Sequence, residues 1–368
     1  MMFSKLLKGV VGVAVAATLA PSAFADSIDP ISYSGTLAVG ESVTVRKTVV
    51  IDDAPPSGAL IDVHFLIDTS GSMGGAISGA KSAAASILSG LSGFGDVAAG
   101  VGVFSEGAHY PGTAPGSVIN LGLTTTTADV TTAINAVTLG NPDGGGDFPE
   151  RGQDAVKIAA DNLSWRPGSS RYIIALGDAS WKNDVTTDAD AIAALAGAGA
   201  ELIGLRFSNF NACRSFTDDC NFTESVEDLG GSVYATGSDP ADITSAILAG
   251  VGTSFEHYSK VTVDDLGGGL PEIDVSTVCV SADTGACVGA DAVGTYDRSV
   301  ERSFEFDVTF TRLAAGDAAF ETYALVDDGI VAREADRFTD GSVAVPAPGV
   351  LALLSLGLIG IGLVRRRG

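Results

Sequence analysis

The spacing of apolar residues changes twice along the chain and divides it into three stretches. Residues 32–51 alternate between apolar and polar positions, which predicts β-strands. Residues 58–255 combine short apolar runs with segments whose apolar residues recur at three- and four-residue spacing, which predicts alternating strands and helices. From Tyr258 to Asp340 the two-residue period returns, with Gly, Pro and Asp clusters between the predicted strands.

The middle stretch is predicted to be an α/β domain with a doubly wound, mostly parallel sheet, because strands that alternate with helices pack in this way. The predicted strands lie near 61–67, 97–104, 117–121, 171–177, 201–207 and 232–235. The predicted helices lie near 73–93, 127–138, 150–163, 187–198 and 240–251.

The two outer stretches are predicted to form one β-sandwich, with the α/β domain inserted between them. The N-terminal β segment is too short to bury a core alone, and the C-terminal stretch has the short strands and turn clusters of a sandwich. The alternative is two unrelated modules in series.

Candidate chemistry begins at the loop where the first buried strand of the α/β domain meets its helix. This loop carries Asp68, Ser70 and Ser72. In an open parallel sheet such a loop lies at the carboxyl edge, where ligands bind. Three oxygen side chains at this spacing can converge on one small cation such as Mg²⁺, which prefers about six oxygen ligands. The alternative is an Asp–Ser turn that caps the helix.

Two later segments bring further acids to the same predicted edge. Another buried strand, 171–177, runs directly into Asp178, and a glycine-rich loop carries Asp147 and Glu150 just before a helix. Acids that meet at one sheet edge repel each other unless a cation lies between them. These segments therefore favour a metal site over a simple capping turn.

The order of these motifs resembles a von Willebrand factor A (VWA) domain with its metal-ion-dependent adhesion site (MIDAS). Among the variants of this domain, the chain resembles the integrin β-subunit I-like domain. Three motifs carry the resemblance: Asp68-x-Ser70-x-Ser72, Asp147-Phe148-Pro149-Glu150 and Asp178-Ala179. The resemblance covers roughly residues 59–255. It implies Mg²⁺ or Mn²⁺ held by five residues, with one coordination position left for a carboxylate of a protein or acidic polysaccharide partner. Those five are Asp68, Ser70, Ser72, Glu150 and Asp178.

The sequence departs from the I-like pattern at two places. Met73-Gly74-Gly75 follows the second serine where the family often has acids, so the adjacent calcium site is not expected. A further family site for Ca²⁺ is matched by Glu106 and Asp147, but Gly145 stands where the family has Asn. The alternative for Glu106 and Asp147 is that both are solvated loop acids.

The charge balance excludes one class of partner. The chain of 368 residues has a net charge of −24. No basic patch is present to neutralise phosphates, so nucleic acid is not an expected partner. Acidity of this degree instead keeps an exported protein soluble.

The four cysteines form two close pairs, Cys213 with Cys220 and Cys279 with Cys287. Neither pair has zinc-finger spacing, and no histidine lies nearby to complete a zinc site. Export makes two local disulfides the expected state.

The N-terminus has the features of a signal peptide over 1–25. Lys5 and Lys8 precede an apolar run over 10–20, and Ala23-Phe24-Ala25 supplies the small residues of a cleavage site. The mature chain is therefore expected to begin at Asp26 in an oxidising compartment.

The C-terminus is similar to the PEP-CTERM sorting signal of Gram-negative bacteria, which an exosortase processes. Val345-Pro346-Ala347-Pro348 precedes an apolar run over 349–364 and then Arg365-Arg366-Arg367. The run is shorter than the roughly 20 residues of a comfortable membrane span, and Ala347 replaces the motif's Glu. The alternative is a plain tail anchor.

Together these signals predict an exported protein of the cell envelope, the cell surface or the extracellular matrix. An exosortase-like enzyme and, before processing, the membrane are expected partners of the tail. The boundaries are a signal peptide at 1–25, an N-terminal β segment at 26–57, a VWA domain at 58–255, a C-terminal sandwich part at 256–342 and a sorting segment at 343–368.

Enzyme functions are not expected. His64, His109 and His257 have no neighbouring nucleophile pattern, and the sequence contains no nucleophile elbow, P-loop or zinc-protease motif. His64 lies within a buried strand and is interpreted as a core residue or a neighbour of the metal ligands. The predicted function is metal-dependent binding at the cell surface. The alternative is a structural protein of the exopolysaccharide matrix, in which the metal only stabilises the fold.

Overall fold

The computed structural model describes residues 26–106, 118–140, 148–208, 210–211, 213 and 217–341. The predicted signal peptide, the sorting segment, His109 and Asp147 lie outside these described residues. Within the described part of the chain, no helix is long and apolar enough to cross a membrane.

Within the described residues, three strands come first, an α/β domain follows, and seven further strands come after it. The first strands are β1 (Ser27–Asp29), β2 (Ser32–Leu37) and β3 (Ser42–Ile51). The α/β domain has strands β4 (Ala59–Asp68), β5 (Gly95–Phe104), β6 (Ile119–Thr124), β7 (Ser170–Gly177), β8 (Ala200–Arg206) and β9 (Ser232–Ala235). Its helices are α1 (Gly74–Leu91), α2 (Thr127–Ala136), α3 (Gly152–Asn162), α4 (Asp188–Ala198), α5 (Phe222–Glu227) and α6 (Pro240–Ser254). The last strands are β10 (His257–Asp264), β11 (Ile273–Ser281), β12 (Ala286–Val288), β13 (Asp291–Asp297), β14 (Arg302–Arg312), β15 (Ala318–Val326) and β16 (Gly329–Asp340).

The α/β domain is built on a sheet in the order β6-β5-β4-β7-β8-β9. All neighbours in this sheet run parallel except β6, which lies antiparallel to β5 at one edge. All ten residues of the central strand β4 are buried, as expected for a parallel strand covered by helices on both faces. Val63, Phe65 and Ile67 belong to the core beneath α1, α2 and α6, whereas Leu66 belongs to the core beneath α3, α4 and α5.

The remaining strands form two packed sheets. One has the order β1-β3-β14-β11, and the other has the order β12-β13-β10-β15-β16-β2. The long strand β3 pairs with β14 along its whole length, from Arg302 opposite Ile51 to Thr311 opposite Ser42. Strand β2 pairs in parallel with β16 in the other sheet. The N-terminal segment therefore contributes strands to both layers of the sandwich.

This arrangement confirms the predicted fold class, an α/β domain inserted in a sandwich shared by both ends of the chain. Val49 and Ile51 of the N-terminal segment lie in one buried cluster with Phe304 and Phe306 of the C-terminal stretch. The strands on either side of the Gly40 turn do not pair with each other. They belong to different sheets, so the turn carries the chain from one layer to the other.

Arg298 holds together the two places where the chain crosses between the sandwich and the α/β domain. Its guanidinium donates to the carbonyl oxygens of Asp52 and Ala54 at the entry, both at 3.0 Å, and to that of Phe255 at the exit at 2.9 Å. It also makes two hydrogen bonds of 2.7 Å to the buried carboxylate of Asp26. One side chain thus fixes the entry, the exit and the start of the described chain.

Candidate functional site

The candidate site lies at the carboxyl edge of the parallel sheet, where β4 and β7 end side by side. Asp68 is the last residue of β4, and a single 3₁₀ turn, Gly71–Met73, connects the strand to α1. Asp178 directly follows β7. Since β4 and β7 are neighbouring parallel strands, their final acids are brought to one edge, as the sequence predicted.

A chain of hydrogen bonds connects the acids and hydroxyls of this edge. The backbone N–H of Ser70 donates to Asp68 Oδ1 at 2.7 Å, and the hydroxyl oxygens of Ser70 and Ser72 are 3.2 Å apart. Ser72 Oγ donates to Asp178 Oδ1 at 3.2 Å, and Ser208 Oγ lies 3.5 Å from Asp178 Oδ2. The loop after β4 is therefore tied to the end of β7 by side-chain oxygens alone.

Glu150 reaches the same edge by a short backbone extension of the sheet. Its N–H donates to Ser180 O at 2.9 Å, and its carbonyl accepts from Lys182 N–H at 2.8 Å, which forms an isolated parallel bridge with Trp181. The side chain is buried, and its Oε2 has no hydrogen-bond partner within the described part of the chain. A buried carboxylate oxygen without a donor needs a compensating cation or a proton.

The electrostatics of the site reflect this crowding of acids. Burial raises the pKa of Asp68 to about 7, and the nearby charge of Asp178 adds to the effect. Burial raises the pKa of Glu150 to about 9, with further increases from Asp68 and Glu106 and an opposing effect of Lys182. Burial likewise raises the pKa of Asp178. The burial and crowding of these carboxylates therefore disfavour their joint ionisation unless a positive charge lies among them.

The donor set fits a small hard cation. Carboxylates and hydroxyls are oxygen ligands of the type that Mg²⁺ and Mn²⁺ take, and the unpartnered oxygen of Glu150 faces this acidic environment. Among the residues that the structure describes, no three His, Cys, Asp or Glu side chains stand close enough to form a metal cluster by themselves. The hydroxyls of Ser70 and Ser72 would therefore be an essential part of the ligand set.

The acid of the predicted second site is paired with a lysine. Glu106 Oε1 accepts from Lys182 Nζ at 2.7 Å, and its proposed companion Asp147 lies outside the described residues. The Ca²⁺ site of Glu106 and Asp147 therefore stays a prediction.

Two residues of the site, Lys182 and Ser208, were not predicted from the sequence, since neither belongs to the motifs. The one available signal was that Lys182 follows Asp178 within four residues, close enough to share its sheet edge.

A disulfide-bonded loop borders the site. Cys213 is bonded to Cys220, and Cys279 to Cys287, which confirms both predicted pairs. Shortly before this disulfide loop, Phe210 N–H donates to the carbonyl of Asp178 at 3.0 Å, and the Phe210 ring stacks on Phe148 with centroids 5.7 Å apart. A stacked pair of aromatic rings is thus connected to the backbone at Asp178.

His64 is a core residue of β4. Its ring is fully buried, and neither ring nitrogen has a hydrogen-bond partner in the described ranges. Burial lowers its pKa to about 3, so the imidazole is neutral at ordinary pH. The ring packs against the neighbouring strand at Gly100 and Gly102, where an added Cβ would lie within 2.8 Å and 2.6 Å of its nitrogens. A glycine is required at both positions because the histidine ring occupies the space of a side chain.

Several solved structures are similar to this chain. A von Willebrand factor type A protein from Catenulispora acidiphila matches with a TM-score of 0.39 and 15% identity, over 83% of this chain and 72% of that one. Proximal thread matrix protein 1 from the mussel byssus, with a zinc-occupied MIDAS motif, matches with a TM-score of 0.40 and 16% identity, over 58% of this chain and 48% of that one. The pilus adhesin SpaC from Lactobacillus rhamnosus GG, in an open conformation, matches with a TM-score of 0.36 and 14% identity, over 82% and 45%.

Likenesses this distant concern the path of the chain alone, and the zinc and the adhesin role belong to those proteins. No protein-family model and no curated protein matches the sequence. The function of this chain therefore has to follow from its own residues.

Proposed function

We propose that this protein captures a partner at the cell surface or in the extracellular matrix through a divalent cation, Mg²⁺ or Mn²⁺, at the edge of its α/β domain. Asp68, Ser70, Ser72 and Asp178 would hold the cation, and Glu150 would contribute directly or through water. The observation that carries the proposal is the hydrogen bond of 3.2 Å between Ser72 and Asp178, because it brings the two motifs together at one point.

The bound cation supplies a positive centre that can accept one more oxygen ligand from outside. The chain's own groups prepare this centre. The N–H of Ser70 fixes the orientation of the Asp68 carboxylate, and Ser208 and Ser72 hold that of Asp178. Because these side chains are positioned by rigid strand ends, little conformational freedom is lost when a ligand arrives.

The partner that fits this centre is one that presents a carboxylate, either an acidic protein side chain or an acidic polysaccharide. The protein itself is strongly acidic, with a net charge of −24, so long-range electrostatics oppose such a partner. Capture of an acidic ligand would therefore depend on the cation, and removal of the cation should release the ligand. The rings of Phe148 and Phe210 would give the ligand an apolar contact beside the carboxylate.

Two disulfides are consistent with an extracellular setting, since disulfides persist in oxidising compartments. We include two further points in this proposal. The site is of the integrin-like type, and the protein is exported and sorted through a PEP-CTERM-like tail in a Gram-negative bacterium. The alternative of a structural matrix protein rests on the same fold, with the cation only stabilising the loop.

The deciding experiment is a pull-down from the native cell surface with the immobilised protein, first in Mg²⁺ and then in EDTA. We expect capture in Mg²⁺ and release in EDTA. Asp178→Ala should abolish capture while the protein keeps its cooperative melting transition, and Asp129→Ala on the exposed first turn of α2 should behave as wild type. Capture that persists in EDTA and in Asp178→Ala would contradict the proposal, and absence of any capture would favour the structural alternative.

A further inference from the structure

A lysine lies in the interior of the β-sandwich together with two acids. Lys47 of β3 is fully buried, and its Nζ contacts Glu334 Oε2 of β16. The same Nζ lies 3.9 Å from Asp336 Oδ1, two residues further along β16. The side chains of all three residues have no solvent exposure. The group therefore bridges the two sheets of the sandwich, since β3 and β16 belong to different layers.

Aromatic rings of the sandwich core lie beside this group. Lys47 Nζ lies 5.1 Å from the centre of the Phe310 ring, and Phe310 in turn packs on Phe338 with centroids 4.9 Å apart. The nearest other polar partner is Thr322, whose hydroxyl donates to Asp336 Oδ2. Asp265, which also influences the pKa of Asp336, is turned to the N–H groups of Gly267 and Gly269. The trio thus lies within the largely apolar core of the sandwich, without solvent exposure.

As a permanent ion pair this arrangement would be poor. Glu334 Oε1 and Asp336 Oδ1 have no hydrogen-bond partner among the residues described. One ammonium also cannot neutralise two buried carboxylates. Burial raises the pKa of Glu334 to about 7, and it raises that of Asp336 as well. A buried ion pair stabilises a fold only when the remaining polar atoms are satisfied, so two unpaired oxygens make the fully ionic state costly.

We propose that Lys47 and Glu334 join in an intramolecular amide bond, formed by the folded protein itself, with Asp336 as the group that moves the proton. Lys47 Nζ is the nucleophile and the side-chain carboxyl carbon of Glu334 is the acceptor. Glu334 is assigned as the acceptor because its oxygen is in contact with Nζ, whereas that of Asp336 is 3.9 Å away.

The reaction needs no cofactor or oxidant. It starts from the Lys47 ammonium, protonated Glu334 and ionised Asp336. Asp336 takes a proton from the ammonium, and the freed nitrogen lone pair attacks the carboxyl carbon of Glu334, forming a C–N bond. Asp336 then gives its proton to the hydroxyl on this carbon, which leaves as water with the electron pair of the C–O bond. The nitrogen passes its second proton to Asp336. Asp336 ends as a neutral acid, so one amide, one water and no buried charge remain.

Position and solvent explain why this pair would react when exposed pairs do not. Amide formation from an amine and an acid is opposed in water, where both groups are ionised and water competes. In a dry site the transfer of a proton from an ammonium to a carboxylate is favoured, because it removes two buried charges, and a lysine that has lost its proton in a hydrophobic pocket is an activated nucleophile. Fixed contact between the reacting groups also supplies the high effective concentration that a bimolecular reaction lacks. Lys260 and Asp328, an exposed pair at 2.6 Å, have the contact but not the dry environment.

The bond would connect two residues 287 positions apart in the sequence. It would join the last strand of the sandwich to its N-terminal segment and close a covalent ring around the inserted α/β domain. Unfolding could then no longer separate the two ends of the sandwich, which restricts the unfolded chain in the same way as a long-range disulfide.

Mass spectrometry of the full chain tests this proposal. The protein is reduced and denatured, its termini are determined by peptide mapping, and its intact mass is compared with the mass calculated for those termini. We expect the wild-type chain to be lighter by one water. Trypsin should fail to cleave after Lys47 and should yield one branched peptide that contains Lys47 and Glu334. Lys260→Met is the matched control and should still show the loss of water.

Two variants separate the amide from an ion pair. Lys47→Met removes the nucleophile and Asp336→Ala removes the proton carrier, and both should show the full calculated mass and no branched peptide. Asp336→Ala keeps both reacting residues, so it remains informative if Lys47→Met fails to fold. A cooperative melting transition checks folding in each case. A folded wild-type chain with its full calculated mass would overturn the proposal, and a branched peptide in Asp336→Ala would overturn the role of Asp336.

Discussion

Ser72 and Asp178 are 106 positions apart in the sequence, yet the serine hydroxyl donates to the carboxylate at 3.2 Å. This contact exists because β4 and β7 are neighbours in a parallel sheet and deliver their C-terminal residues to one edge. The strand order therefore brings the two motifs within reach of one common ligand.

The first prediction concerns the metal. Asp68→Ala should abolish Mg²⁺ and Mn²⁺ binding, because this residue ends the central strand and orients the serine loop through Ser70. Isothermal titration calorimetry measures the effect. In wild type, Mg²⁺ at about 100 times its Kd should stabilise the fold by about 2.7 kcal/mol. Undiminished Mg²⁺ affinity in Asp68→Ala, with Asp129→Ala as control, would show that the site lies elsewhere.

The second prediction concerns pH in the absence of metal. The pKa of Asp68 is raised to about 7 and that of Glu150 to about 9, so the folded state holds these protons more tightly than the unfolded state. The free energy of unfolding of the metal-free protein should therefore fall as pH rises from about 4 to about 9, with the Asp68 contribution lost by about pH 7 and that of Glu150 by about pH 9. Mg²⁺ needs deprotonated ligands, so the increase in Tm that it causes should be larger at about pH 8 than at about pH 5. Equal Mg²⁺-induced shifts at the two pH values would contradict this linkage.

The third prediction concerns the inserted architecture. Residues 58–255 expressed alone should fold, because both faces of their sheet are covered by their own helices. Residues 256–340 alone should not fold, because β14 then loses its partner β3 and β16 loses β2. Circular dichroism and thermal melting of each fragment give the answer. A cooperative melt of the C-terminal fragment would mean that the sandwich core does not depend on the N-terminal segment.

The fourth prediction concerns Arg298. Arg298→Ala leaves the fully buried side chain of Asp26 without its partner, and breaking such a pair costs about 3–5 kcal/mol. Urea denaturation should detect this loss. Arg46, whose ion pairs with Glu305 and Asp307 are about half exposed, is the matched control, and Arg46→Ala should change the free energy of unfolding much less than Arg298→Ala. Equal effects of the two substitutions would show that Arg298 does not act as a clamp.

The fifth prediction concerns the C-terminal tail. The apolar run over 349–364 is short for a permanent span, which suits a sorting intermediate better than an anchor. The tail should be removed near Pro346–Pro348, and deletion of Arg365–Arg367 should impair its processing. Mass spectrometry of the protein from its own host decides this. A mature surface form that still ends at Gly368 would mean a simple membrane anchor.

The parts of the fold that depend on local pattern were predictable from the sequence. The alternation of strands and helices gives the parallel sheet, and the rule that ligands bind at the carboxyl edge brings Asp68 and Asp178 together. The pairing of β2 with β16 and of β3 with β14 was not predictable in detail, because long-range register depends on packing that no local period encodes. The short strand β1 and the short helix α5 were missed for lack of length.

One signal in the sequence was not recognised. Lys47 lies in the same two-residue period as Val43, Val45 and Val49, so the alternation of β3 already directed its side chain inward. Glu334 and Asp336 likewise lie in the same two-residue period as Ala332 and Phe338 on β16, so all four share its buried face. A charged residue at an apolar position normally suggests that the strand pattern is interrupted. In β3 and β16 it instead indicates a buried polar group. Lys182, by contrast, has no periodic signal because it lies in an irregular segment.

The clamp at Arg298 and the candidate site lie at opposite ends of the central strand. The strand β4 enters the sheet at Ala59, next to the clamped junction, and ends at Asp68. At about 3.3 Å per residue its ten residues span roughly 33 Å. A partner that pulls on the site would load β4 along its length, between β5 and β7. The hydrogen bonds of β4 to β5 and to β7 would then be loaded in shear and would all resist the force at once, instead of breaking one after another. This geometry suits an attachment that has to bear tension.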